Sequence, residues 1–115
     1  MPNSCWMSYN IIAVPTFKKE LKKLAKKYHS LKSDLAALFE TLEKDPTQGT
    51  ALGNNCYKIR LAVSSKNKGK SAGARLITNF VITENTVFLI SIYDKSEKES
   101  LSQKELQELL KEVPE

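Results

Sequence analysis

The sequence predicts an α+β fold, in which an N-terminal strand and a helical hairpin pack on a small antiparallel sheet and a last helix follows. Three observations predict this fold. The apolar side chains between residues 16 and 42 recur with the period of a helix. Segments 56–63, 74–82 and 86–93 instead alternate or are rich in β-branched and aromatic residues. After them, residues 102–105 have the pattern of a capping box, which starts a helix.

The first 49 residues supply a strand and two helices. Residues 8–14 predict a short strand. Residues 16–28 form an amphipathic helix, whose apolar stripe consists of Phe17, Leu21, Leu24, Ala25 and Tyr28. A second helix is expected to start at a cap on Ser30 or Ser33, and Pro46 and Gly49 in the segment DPTQG end it. The short connection between the two helices makes an antiparallel hairpin.

The three later segments form an antiparallel meander. In 56–63, strict alternation places Lys58 and Arg60 on one side of the strand and apolar residues on the other. The last strand is apolar on both faces down to Ile92, which predicts a central position in the sheet. The helical hairpin should cover one face of this sheet and leave the other face partly open.

Positive charge is concentrated in residues 57–75. This segment has no Asp or Glu, and its cations are Lys58, Arg60, Lys66, Lys68, Lys70 and Arg75. The whole chain has a net charge of +5, with 18 Lys and Arg against 13 Asp and Glu. Because solvated surfaces normally mix both signs, an acid-free segment indicates an anionic partner such as a nucleic acid.

Other kinds of site and location fit the sequence less well. No apolar run approaches the ~18 residues of a membrane span, and the N-terminus lacks the pattern of a signal peptide. We therefore expect a cytoplasmic protein with a single domain covering residues 1–115. Cys5 and Cys56 lack metal-binding spacing and have only His29 for company, so we expect no metal site and no cofactor.

The basic segment suits one reaction that needs neither histidine nor metal. The 2′-OH of RNA can attack the adjacent phosphorus if a protein stabilises the extra charge and moves two protons. Arg60 and Arg75 can fork onto phosphate oxygens. A lysine crowded by other cations has a lowered pKa and can act as general base. Tyr93, at the end of the last strand, can stack on a base, and Lys95 adds a further cation.

The segments YKIRLA, GKSAGARLI and IYDKSEKESLS together resemble the RelE/ParE superfamily of toxins, specifically the HigB-like branch of its RelE group. The resemblance extends over nearly the whole chain. It implies a microbial-RNase-like sheet and a bacterial toxin that cuts mRNA in the A site of the ribosome. It also implies a cognate antitoxin, HigA-like with a helix-turn-helix domain and acidic where it binds the toxin.

By position, the resemblance implies catalytic roles for five residues. Lys58 and Arg60 match the basic pair on the first strand of the meander, and Arg75 matches the arginine that opens the next strand. Tyr93 and Lys95 lie where this branch has a strand-end aromatic residue and a cation.

The loop between the first two strands of the meander is implied to contact RNA or the ribosome, through Lys66, Lys68 and Lys70. The sequence departs from RelE at Leu101, where the family has a tyrosine that stacks on substrate. Tyr93 would have to supply that stacking. Asp94 is expected to orient Lys95 or Arg75.

Three alternatives stay open. ParE-like members of the superfamily inhibit DNA gyrase without cutting nucleic acid, but they do not need a basic sheet. An inactive relic that only binds its antitoxin is a second alternative. Lys18 to Lys27 on the first helix resemble a membrane-surface or partner-binding pattern. Because the hairpin needs its apolar stripe to dock on the sheet, we favour core packing, with the cationic outer face free to contact ribosomal RNA.

Overall fold

The computed structural model describes residues 10–63, 73–95 and 101–113. These residues form five strands and three α-helices, which confirms the α+β class. The elements are β1 (Asn10–Ala13), α1 (Pro15–Lys27), α2 (Leu31–Leu42), β2 (Thr50–Gly53), β3 (Cys56–Leu61), β4 (Ala74–Val81), β5 (Thr86–Asp94) and α3 (Gln103–Leu110). None of the helices within these ranges is long and apolar enough to cross a bilayer.

The five strands form one sheet in the order β1-β5-β4-β3-β2. β1 is parallel to β5, and the other neighbours are antiparallel. β5 lies between β1 and β4, and every one of its residues is buried. Its two-sided apolar sequence therefore predicted its inner position correctly.

β2 is a strand that the sequence analysis did not predict. It forms a hairpin with the start of β3. The turn between them is Asn54-Asn55, with φ angles of 53° and 62°. A two-residue hairpin turn of this type needs positive φ at both positions, which asparagine tolerates better than most residues. The paired asparagines just before β3 were the available signal.

The helices dock through the stripes that the sequence predicted. α1 buries Phe17 and Leu24, and α2 buries Leu31, Leu35 and Leu42. α2 begins after Ser30, although the Ser30 hydroxyl donates to the Asp34 carboxylate (2.9 Å) rather than capping a backbone N–H. α3 begins with the predicted capping box, in which Ser102 and Glu105 exchange side-chain and backbone hydrogen bonds.

α1 is also tied to β5 by a carboxylate. Glu20 Oε1 accepts hydrogen bonds from Ser91 Oγ (2.9 Å) and from the backbone N–H of Ile92 (3.2 Å). Beside it, β1 ends at Ala13, and the Val14 N–H donates to the Leu89 carbonyl (3.1 Å). Glu20 thus satisfies a backbone donor at the point where β5 has run past its neighbouring strand.

Candidate functional site

Three of the residues predicted to be catalytic lie in one row across the sheet. Arg60 on β3 is directly opposite Arg75 on β4, and Arg75 is directly opposite Tyr93 on β5. Directly opposite residues on neighbouring strands project to the same face, with Cβ atoms roughly 5 Å apart. We call Arg60, Arg75 and Tyr93 the basic row.

Lys58 belongs to the same face as the basic row. It precedes Arg60 by two residues on β3, which places it about 6.6 Å further along the strand. Its backbone is held by the turn after α2, because Gly49 approaches it too closely for any side chain. A Cβ on Gly49, whose φ is +100°, would lie 2.5 Å from the Lys58 carbonyl oxygen.

Lys95 lies just beyond the row. Its backbone N–H donates to the Gly73 carbonyl (3.1 Å), which extends the pairing of β4 and β5 past Asp94. Gly73 itself packs against β3, since a Cβ there would lie 2.0 Å from the Leu61 carbonyl oxygen. The ends of three strands are therefore held together beside the row, and Lys95 is half-buried at this end.

The face is less open than the sequence predicted. Arg60 is exposed and Lys58 is half-buried, but Arg75 is only 4% exposed and Tyr93 only 7%. Arg75 Nη1 donates to the carbonyl of Ala74 (3.2 Å). Like charges directly opposite each other destabilise a sheet. The Arg60–Arg75 pair is therefore costly to the fold, and such local conflicts are most often found at functional sites.

Tyr93 is protonated in this environment. Burial raises its pKa above the ordinary value of 10.0, the positive charge of Arg75 lowers it by less, and the carboxylate of Glu105 raises it. Glu105 is in the first turn of α3, which shares a groove with Ser91 of β5. The start of α3 therefore lies beside the basic row, and the neutral phenol of Tyr93 keeps its proton available for donation.

This raised pKa makes stability depend on pH in a defined direction. Because the pKa of Tyr93 is higher in the folded state, its contribution to stability is complete below about pH 10 and is lost as the pH rises through the folded-state value. We expect the free energy of unfolding of the wild type to fall more steeply above about pH 10 than that of Tyr93→Phe. Urea unfolding across this range, with Tyr57→Phe as control, measures the slopes. Equal slopes for wild type and Tyr93→Phe would contradict the assignment.

Asp94 connects the end of β5 to α1. Its carboxylate accepts a hydrogen bond from the Tyr28 hydroxyl (2.5 Å) and lies 3.6 Å from Lys27 Nζ. Asp94 is 1% exposed. The sequence analysis expected it to orient Lys95 or Arg75, whereas these contacts are with α1. They fix the strand end that carries Tyr93 and Lys95.

Two groups of residues were treated differently by the sequence and the structure. The loop cations Lys66, Lys68 and Lys70 lie outside the described residues. Glu105 was recognised only as a capping residue, and its approach to Tyr93 depends on how α3 packs. No local pattern in the sequence encodes that packing.

A family model described as the RelE toxin of the RelE/RelB toxin–antitoxin system matches residues 15–113. The chain belongs to the RelE toxin family. Comparison with curated proteins gave no match. The basic row thus lies in a toxin of a toxin–antitoxin system, as the resemblance implied.

Solved structures of RelE proteins share the fold. A mutant of the Escherichia coli toxin RelE in the free state gives a TM-score of 0.61 at 20% identity, over 94% of this chain and 100% of that chain. The intact E. coli RelBE toxin–antitoxin complex gives 0.50 at 26% identity, over 76% and 96%. The RelBE2 toxin–antitoxin complex from Mycobacterium tuberculosis gives 0.54 at 14% identity, over 76% and 92%.

Proposed function

We propose that this RelE-family toxin is a ribosome-dependent endoribonuclease that cleaves translated mRNA in the ribosomal A site. The observation that carries the proposal is the basic row, in which Arg60 and Arg75 are directly opposite on neighbouring strands and Lys58 shares their face. Two guanidinium groups at this separation can hold the oxygens of one phosphate, because each presents a planar fork of donors.

The reaction needs no group that the chain lacks. The 2′-oxygen of the nucleotide before the cut attacks phosphorus, the new O2′–P bond forms, and the P–O5′ bond breaks. One proton leaves the 2′-OH and another reaches the departing 5′-oxygen, which gives a 2′,3′-cyclic phosphate and a 5′-OH. Arg60 and Arg75 stabilise the negative charge that develops on the phosphorane. Lys58 or a loop lysine accepts the first proton.

The burial of Arg75 and Tyr93 defines the order of contact. Arg60 is exposed and can meet a phosphate first, whereas RNA must displace neighbouring parts of the chain to reach Arg75. Once there, the neutral Tyr93 can stack on a base or donate its proton in a hydrogen bond. Lys95, beyond the row, offers a cation to the next phosphate.

The proposed partners follow from this activity. They are mRNA, the ribosome and a cognate antitoxin, which we propose to be HigA-like with a helix-turn-helix domain, as expected for the HigB-like branch. An acidic antitoxin segment would complement Arg60 and Lys58. All of these partners are found in the cytoplasm.

Adding the purified protein to a translation reaction tests the proposed function. Primer extension should show new mRNA ends within translated codons, and no new ends when translation is blocked. A gyrase supercoiling assay run in parallel should be unaffected. Intact mRNA with inhibited supercoiling would instead identify a ParE-like gyrase inhibitor. No effect in either assay, with no growth arrest on expression, would identify an inactive relic.

A further inference from the structure

A groove between α1 and α2 combines positive walls with an apolar floor. Leu21 and Ala25 form the floor, and both are half-buried. The cations that line the groove are Lys18, Lys22, Lys26 and Lys32, with His29 at the junction of the two helices. Its volume is about 500 Å³. No acidic side chain lines it.

The lysines of α1 form a regular ladder along the groove. Lys18, Lys22 and Lys26 follow one another at four-residue intervals, which corresponds to about 6 Å per step. Like charges at this spacing weaken a helix. All three are exposed, and within the described ranges no carboxylate forms an ion pair with them. Their mutual repulsion is therefore not relieved within the part of the chain that the structure describes.

The groove lies on the side of α1 that faces away from β5. The opposite side of the helix carries Glu20 and Tyr28, which bond to Ser91 and Asp94 of β5. Ladder positions are about half a turn away from this side. A molecule in the groove would consequently leave Arg60 and the rest of the basic row uncovered.

We propose that this groove binds an acidic, amphipathic helix of a protein partner. A helix with carboxylates at four-residue spacing matches the lysine ladder, and apolar side chains between them fit the floor made by Leu21 and Ala25. RNA phosphates would pair with the lysines but leave the apolar floor unused. A flat membrane surface would not enter the groove. The proposal is independent of RNA cleavage.

The first test measures binding of a fluorescent synthetic helix to the full-length protein by anisotropy. The probe carries Glu at every fourth position and Leu on the adjoining stripe. Controls are a scrambled peptide of the same composition, a single-stranded RNA of similar length and vesicles of phosphatidylserine and phosphatidylcholine. We expect the amphipathic peptide to bind about ten-fold more tightly than the scrambled one.

Two sets of variants separate the groove from general positive charge. The groove variant Lys18→Gln/Lys22→Gln/Lys26→Gln should lose about ten-fold in peptide affinity. The control variant Lys44→Gln/Lys104→Gln/Lys111→Gln removes the same charge from exposed sites outside the groove and should change affinity by less than about two-fold. Glutamine keeps the helix propensity of lysine, so α1 should stay folded.

The floor is tested separately by Ala25→Gln, which keeps every lysine. This variant should weaken binding of the amphipathic peptide while leaving RNA binding unchanged, with folding checked by circular dichroism. Equal loss from the groove and control variants would overturn the proposal. So would absence of peptide binding, RNA binding that depends on the ladder with no effect of Ala25→Gln, or ladder-dependent binding of vesicles only.

Discussion

Replacing Arg75 with alanine is expected to lower the rate of mRNA cleavage by about 10²- to 10³-fold, which is the usual effect of removing one group that stabilises transition-state charge. Arg75 lies at the centre of the basic row, opposite both Arg60 and Tyr93. Its guanidinium is held by the fold before substrate arrives, because it is buried and donates to the Ala74 carbonyl. Single-turnover cleavage of a programmed ribosome complex measures the effect.

Two matched variants show whether the loss is chemical. Arg75→Lys keeps the charge but not the planar fork, so its rate should lie between those of the wild type and Arg75→Ala. Lys44→Gln removes a distant surface charge and should cleave at the wild-type rate. Circular dichroism spectra of all three should match that of the wild type. If a folded Arg75→Ala variant cut translated mRNA at the wild-type rate, the role assigned to Arg75 would be wrong.

Replacing Asp94 with alanine is expected to lower the free energy of unfolding by about 2 to 3 kcal/mol, because a buried carboxylate that accepts a hydrogen bond is removed. The partners left behind are the Tyr28 hydroxyl and Lys27, of which Lys27 is half-exposed and contributes little. Cleavage should fall as well, since Asp94 fixes the strand end between Tyr93 and Lys95. Urea unfolding and the ribosome assay measure the two effects.

Tyr28→Phe is the matched control for Asp94→Ala. It removes the same hydrogen bond from the other side and keeps the aromatic ring, so we expect a loss of about 1 kcal/mol. If Asp94→Ala were as stable as the wild type, Asp94 would not anchor β5 to α1. An unchanged cleavage rate at reduced stability would show that the anchor serves the fold alone.

Much of the site geometry could be predicted because it follows from strand alternation. The two-residue spacing of Lys58 and Arg60 places them on one face whatever the rest of the chain does. The register that sets Arg75 opposite Arg60 is a long-range property, and the sequence indicated only that the two strands were neighbours. β2 was missed because its signal is a single Asn54-Asn55 turn in a segment without clear periodicity.

The burial of Arg75 and Tyr93 could not be predicted from local pattern. Alternation says which side of a sheet a residue faces but not what covers that side. The capping box at Ser102 correctly marked the start of α3, yet the place where α3 docks depends on contacts such as that between Leu106 and the core. The approach of Glu105 to Tyr93 is a consequence of that docking.

The central claim is that the basic row acts on an RNA linkage that supplies its own nucleophile. The most direct measurement is cleavage of a programmed ribosome complex whose mRNA carries a single 2′-deoxynucleotide immediately before the mapped cut. The account predicts that cleavage at that linkage disappears, while the all-ribose mRNA is cut to a 2′,3′-cyclic phosphate. Continued cutting at the deoxy-substituted linkage would show that another nucleophile is used, and the account would be contradicted.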